Sequence, residues 1–317
     1  MQLLEIKNLA DRIKTNISKV LVGKETNAEL VIMSFLCSGH VLLEDVPGVG
    51  KTMLAKCLAR SVDCGFKRIQ FTPDLLPSDL TGINFFDQKQ GEFVFRPGPI
   101  FTNIVLADEI NRATPRTQSS LLECMEEGQV TVDGETRKLD EPFFVIATQN
   151  PVETRGTFPL PEAQLDRFFM RIRMGYPTLA EGKDILDRFR DADPLAGLEC
   201  AASAAEVNDA RKSYMTVRVN EAVKDYIMNI IEATRKNDHI SLGVSPRGAL
   251  ALMRAAQMRA VFGGRDFVIP DDVKQAAVPV LAHRIILKGH AITGGTQEAE
   301  AAVTDMVKKV HVPVEEV

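Results

Sequence analysis

The stretch LLEDVPGVGKTMLAKCLA, residues 42–59, decides how the chain folds. The apolar run VLLE reads as a buried strand and KTMLAKCLA as a helix, with the glycine-rich turn DVPGVG between them. That is the setting in which G-x-x-x-x-G-K-[ST] cradles phosphate. Gly48 and Gly50 let the backbone turn its N–H groups inward without Cβ clashes. The helix beginning near Lys51 presents its positive end to the same anion. On this reading Lys51 reaches the β- and γ-phosphates of a nucleotide and the Thr52 hydroxyl ligates Mg²⁺. Val46, Pro47, Val49 and Met53 complete the phosphate-binding run. Asp45 stands where the pattern has its first glycine. That position only begins the turn, and Asp tolerates tight-turn geometry through its local side-chain hydrogen bonds.

Working outward, four further apolar runs follow: KRIQF (67–71), NIVLADE (103–109), PFFVIAT (142–148) and RFFMRIRM (167–174). With HVLLE (40–44) they give five strands alternating with helical segments, the pattern of a parallel sheet covered on both faces. The segment 114–128 has Thr114 as N-cap, Pro115 as first helical residue and Gly128 as terminator. QVTVDGETRKL (129–139) reads as a hairpin turning at Asp133-Gly134. Residues 83–98 read as another around Gln90-Gly91, with Phe93 and Phe95 on one face. Either hairpin could simply extend the sheet. From Tyr176 onward the pattern turns helical, in segments 181–191, 220–237, 245–262, 269–287 and 296–310. In the third, Leu250, Met253 and Ala256 can share a face. The expected division is 1–175 and 176–317.

NIVLADEINRA ends its strand in Asp108-Glu109, at the edge of a parallel sheet where ligands bind. Asp108 would hold Mg²⁺ alongside Thr52, and Glu109 would orient and deprotonate an attacking water. A carboxylate pair is weak evidence alone; joined to the phosphate loop it points to nucleotide hydrolysis. Asn150, at the end of FFVIATQN, can both donate to a phosphate oxygen and accept from water. Arg167 precedes the fifth strand and could simply pair with Asp166 or Glu162. Arg247 follows the N-cap Ser245 and Pro246. A cation at a helix N-terminus is disfavoured, so Arg247 calls for an anion, either a phosphate or a carboxylate.

The 317 residues carry 38 Lys+Arg against 43 Asp+Glu, a net charge of -5 that offers no global attraction to nucleic acid or anionic membrane. No apolar run is long enough to span a bilayer, and the N-terminus lacks a signal-peptide core. The five cysteines are scattered without a C-x-x-C pair, as suits a reducing cytoplasm; Cys57 and Cys124 fall on helices and should pack. The five histidines form no evident metal cluster. His283 and His290, seven apart near a helix end, read as surface residues.

These motifs together resemble the MoxR family of AAA+ ATPases, over nearly the whole chain. The resemblance rests on EDVPGVGKT, PSDLTG, GPIFTNIVLADEINRATPRTQSSLLECMEE, QVTVDG, FFVIATQNP, TFPLPEAQLDRF and SPRGAL. It implies an α/β AAA+ P-loop NTPase core, a five-stranded parallel sheet with helices on both faces and inserted β-hairpins, followed by an all-α lid domain. It further implies that Asp108-Glu109 is the Walker B pair, Asn150 sensor 1, Arg167 an arginine finger reaching a neighbour's γ-phosphate, and Arg247 sensor 2 on the lid. Val22 and Gly23 would flank the adenine. By the same resemblance the chain is an Mg²⁺-dependent ATPase forming a homo-oligomeric, typically hexameric ring. It would remodel a protein client or a metal-cofactor complex, with a von Willebrand factor A domain protein as partner. A nucleic-acid motor and a metal-chelatase motor subunit are the alternatives; the charge balance and lack of a DNA-binding module disfavour the first.

Overall fold

The computed structural model describes residues 1–151, 156–190, 193–289 and 295–313. His290 and the last four residues of the HVPVEEV tail lie outside them. Two helices, α1 (Leu3–Ser18) and α2 (Glu25–Leu36), lead into β1 (Val41–Glu44) and α3 (Lys51–Ser61). Next come β2 (Phe66–Gln70), the short α4 (Pro77–Thr81), the hairpin β3 (Gly82–Asp87) and β4 (Glu92–Pro97), and β5 (Ile104–Asp108). Then follow α5 (Pro115–Glu127), the hairpin β6 (Gln129–Val132) and β7 (Glu135–Lys138), β8 (Phe144–Gln149), α6 (Glu162–Leu165) and β9 (Met170–Ile172). The remainder is α7 (Leu179–Arg188), α8 (Ala204–Ser213), α9 (Glu221–Lys236), β10 (Ile240–Leu242), α10 (Pro246–Phe262), α11 (Pro270–Leu281), β11 (Ile286–Leu287) and α12 (Thr296–Lys309).

The five apolar runs form one parallel sheet in the order β2-β5-β8-β1-β9. Residue parity assigns each side chain to a face. Val41, Leu43, Ile104, Leu106, Phe144 and Ile146 join the core beneath α1, α2 and α3. Leu42, Val105, Ala107, Val145 and Ala147 join a second core with Leu121, Leu122 and Met125 of α5. Burial of one such Leu, Ile or Phe contributes about 1.5–3 kcal/mol, which explains continuous apolar strands rather than alternating ones. The first core runs on into α9–α12 through Ile230, Leu252, Val273 and Val303, with α1 touching α10 and α11 touching β9. No helix among the described residues is long and apolar enough to cross a membrane.

Both hairpins form, each as its own two-stranded sheet, so neither extends the main one. Asp133 and Gly134 both take positive φ, 51° and 85°, as a two-residue hairpin turn needs. α5 begins after Thr114 with Pro115 first and ends on left-handed Gly128.

Four helical expectations are corrected. The segment 269–287 stops as a helix at Leu281, two residues beyond Pro279; a 3₁₀ turn, Ala282–Arg284, follows, and Ile286 then pairs with β10. α8 forms where no helical pattern was read. Leu250 and Ala256 do not share a face: Leu250 is 52% exposed and Ala256 fully buried, because the packed stripe is Ala251, Leu252, Ala255 and Met258. His283 is buried rather than at the surface, with Nε2 3.0 Å from the Phe168 carbonyl. Cys57 and Cys124 are buried as expected.

Candidate nucleotide site

Because all five strands run the same way, their carboxyl ends share one edge, the edge that binds ligands in open α/β sheets. The loop 45–50 leaves β1 there and delivers Lys51 and Thr52 to the first turn of α3. Gly48 and Gly50 have φ of 84° and 96°, the left-handed region open to glycine. A Cβ at Gly48 would meet nothing within 4 Å, so the loop's mouth is open. A Cβ on Gly50 would lie 3.3 Å from Leu21 Cδ2 and 3.8 Å from Met174 Cε. The 20–25 segment, with Val22 and Gly23, therefore lies against the loop. Lys24 fixes it there by donating to the Met174 carbonyl at 2.9 Å, and Glu181 of α7 occupies the space beside Gly23.

Asp45 holds the loop through its carboxylate. Oδ1 accepts from the Val46 N–H at 2.8 Å and Oδ2 from the Gly175 N–H at 2.5 Å, tying the loop to the end of β9. Its own N–H donates to the Gln149 carbonyl and its carbonyl accepts from Lys51 Nζ at 2.7 Å. Burial lowers the Lys51 pKa, while Asp108, Asp45 and Glu109 push it back up.

β8 lies between β1 and β5, so the loop and the acidic pair stand two strand spacings, roughly 10 Å, apart. Thr148 of β8 ties the acidic pair to the middle strand: its hydroxyl donates to Asp108 Oδ1 at 2.6 Å and accepts the Glu109 N–H at 2.9 Å. Glu109 has φ 57°, a left-handed conformation uncommon outside glycine, and it turns the carboxylate out of the strand. Glu109 Oε2 accepts from Gln70 Nε2 at 2.8 Å and from Arg112 Nη1 at 2.9 Å. Asp108 Oδ2 takes Arg68 at 3.0 Å from Nε and 2.5 Å from Nη2. Asn150, buried, follows at the end of β8.

The residues suit Mg²⁺. Thr52 and Asp108 offer a hydroxyl and a carboxylate, and Mg²⁺ characteristically takes one or two protein oxygens and completes its shell with waters and phosphates. Among the described residues no three His, Cys, Asp or Glu side chains are placed to hold a metal unaided.

Arg167 and Arg247 are elsewhere. Arg167 precedes β9 and Glu126 ends α5, beside His40 at the start of β1, so all three lie at the amino edge of the sheet. Arg167 Nε is 3.2 Å from Glu126 Oε2, and Arg247 Nη2 binds Oε1 of the same carboxylate. The partner of Arg167 is therefore Glu126, not Asp166 or Glu162, and the anion that Arg247 called for is a carboxylate. Asp166 instead takes Arg284 Nε and the Ser245 hydroxyl, each at 2.8 Å. Burial pushes the Arg284 pKa down to about 10, opposed by Asp166.

Sequence reasoning missed Arg68, Gln70, Thr148, Glu126 and Arg284. Arg68 and Gln70 are two apart on a strand and must share a face, a signal available beforehand. Nothing local marks Glu126 or Arg284: Arg247 lies 121 residues from Glu126, and Asp166 lies 118 from Arg284.

The chain resembles known proteins along most of its length. The profile of the ATPase family associated with various cellular activities (AAA) matches residues 40–170, and that of the AAA lid domain residues 232–306. The uncharacterized protein YeaC of Bacillus subtilis (strain 168) is 52% identical over 95% of this chain and 93% of its own. Chaperone MoxR1 of Mycobacterium tuberculosis (strain ATCC 25618 / H37Rv) is 40% identical over 87% of this chain and 75% of its own. A crystal structure of a candidate ATPase from Cytophaga hutchinsonii ATCC 33406 superposes with a TM-score of 0.89 at 38% identity, covering 98% of this chain and 97% of that one.

Proposed function

Because the chain belongs to the MoxR family of AAA+ ATPases, we propose that it hydrolyses ATP at sites shared between neighbouring subunits of a ring. One observation carries this reading. Lys51, Asp108 and Glu109 occupy the carboxyl edge of the sheet, whereas Arg167 and Arg247 occupy the amino edge, with at least the length of β1, roughly 13 Å, between them. One subunit cannot apply both sets to one nucleotide. Two adjacent subunits, carboxyl edge against amino edge, can.

In this mechanism the loop N–H groups and Lys51 bind the β- and γ-phosphates. Thr52 and Asp108 would hold Mg²⁺, which would supply charge neutralisation on the phosphates. Glu109 takes the proton of the attacking water through Oε1, while Gln70 and Arg112 orient the carboxylate through Oε2. Asn150 positions that water. Arg167 and Arg247 of the next subunit stabilise charge developing on the γ-phosphate, a contribution worth about 10³–10⁵-fold in related NTPases. Val22 and Gly23 flank the adenine. Hydrolysis then moves the helical lid, residues 176–317, against the core and works on a protein client in the cytoplasm. A hexamer and a von Willebrand factor A domain partner complete the proposal.

Glu109→Gln protein should retain ATP and lose turnover; undiminished phosphate release removes Glu109 from its role. Lys51→Ala and Arg167→Ala proteins, each inactive alone, should regain activity when mixed. No recovery on mixing refutes the shared site.

A further inference from the structure

Glu126 and Arg247 are misplaced for helix stability. Glu126 sits in the last turn of α5, the negative end of that helix, and Arg247 in the first turn of α10, the positive end. Each placement costs up to about 1 kcal/mol. A partly exposed ion pair returns about the same or less, so stability alone gives no reason for the arrangement. The geometry has a different character. Each Glu126 oxygen takes one arginine, Oε2 receiving Arg167 Nε and Oε1 receiving Arg247 Nη2. A single donor of each guanidinium is used in these bonds, and all three side chains remain partly exposed. They line a cavity of about 410 Å³ with Arg254, which lies exposed along α10 from Arg247.

The supports beneath are rigid. Arg284 clamps the backbone on both sides of Arg167, donating to the Asp166 carbonyl at 3.1 Å and the Phe168 carbonyl at 2.6 Å. Ser245 caps α10 and also donates to Asp166. The Met125 carbonyl, next to Glu126, accepts from buried His40.

We propose that Glu126 is a positioning residue that yokes Arg167 of the core to Arg247 of the lid, so that a subunit presents both guanidiniums to its neighbour's γ-phosphate as one unit. This rests on the shared-site reading above. Two like charges held side by side repel unless an anion lies between them. Glu126 supplies that anion on the side away from the ligand and leaves the remaining N–H donors for phosphate. A displacement of the lid moves Arg247 and so pulls on the carboxylate that also holds Arg167.

The test separates this proposal from the reading beneath it. Glu126→Gln, nearly isosteric, should lower kcat about tenfold with KM little changed. Glu126→Asp, which keeps the charge, should recover part of the rate. In mixtures, Glu126→Gln placed on the Lys51→Ala subunit, which lends only arginines, should slow hydrolysis. Placed on the Arg167→Ala subunit, which lends only the phosphate loop, it should be silent. If the parent mixture is inactive, the shared site fails. If the parent mixture is active but Glu126→Gln acts equally from either subunit, or not at all, the yoke alone fails. A faster Glu126→Gln enzyme also overturns it, because Glu126 would then compete with phosphate.

Discussion

Arg68 and Asp108 meet across adjacent strands, and under the proposed function their contact would compete with metal binding. Gln70 lies opposite Asp108 in the register, and Arg68, two residues earlier on the same face, reaches the carboxylate diagonally. Asp108 Oδ2 cannot serve guanidinium and magnesium shell at full strength together. The pair is half-open, with Arg68 49% and Asp108 13% exposed, so it is worth up to about 1 kcal/mol, or a factor of about five. Arg68→Ala should therefore lower the Mg²⁺ concentration needed for half-maximal binding of a fluorescent ATP analogue by about two- to fivefold. An unchanged midpoint shows that the guanidinium does not compete. At this scale the sequence told much: Gly48, Gly50, Lys51 and the acidic pair follow from backbone sterics and the charge of phosphate. The glycine missing at position 45 was legible too, though only the fold shows Asp45 bonding to Gly175.

The hairpins show which turns a sequence announces. Asp133-Gly134 is readable because its two residues must both enter the left-handed region, which few residue types do cheaply. The base of the β3–β4 hairpin is set by contacts instead. A Cβ on Gly82, φ 91°, would stand 2.3 Å from the Arg96 carbonyl oxygen, whereas Gly91 at the tip, φ 69°, has nothing within 4 Å. Gly82→Ala should destabilise the protein by about 2–3 kcal/mol and Gly91→Ala by about 1 kcal/mol in urea unfolding. Equal costs at both positions would show that the hairpin base yields freely. β10 and β11, three and two residues long, gave no periodic signal: they are too short to show one, and Ile240 pairs with Leu287 and Leu242 with Ile286, far along the chain.

At the scale of the molecule, core and lid share one hydrophobic interior, and two histidines are sealed at its seams. His40 accepts the Val145 N–H at Nδ1 and donates to the Met125 carbonyl from Nε2. Burial lowers its pKa from 6.5 to about 4. His283 is driven down by burial and by Arg284 and Arg171. Both are neutral when folded, so the unfolded chain takes up protons first as pH falls. The stability they contribute is full above about pH 6.5 and is lost toward pH 4, by about 3 kcal/mol for His40. Urea unfolding at pH 7.5 and pH 5 should show about 2 kcal/mol of that loss from His40, absent in His40→Gln; identical pH slopes would sink the assignment. The sequence by itself determined the strand–loop–helix unit, the five strands, both hairpins and the place of the acidic pair at the end of its strand, because each follows from periodicity, turn sterics or charge within a few residues. Tertiary structure alone decided that β8 separates β1 from β5 and that Thr148 bridges the acids. It also sent Arg167 and Arg247 to the far edge, on one carboxylate. Those facts depend on strand order and on contacts between residues far apart in the chain, which no local pattern encodes.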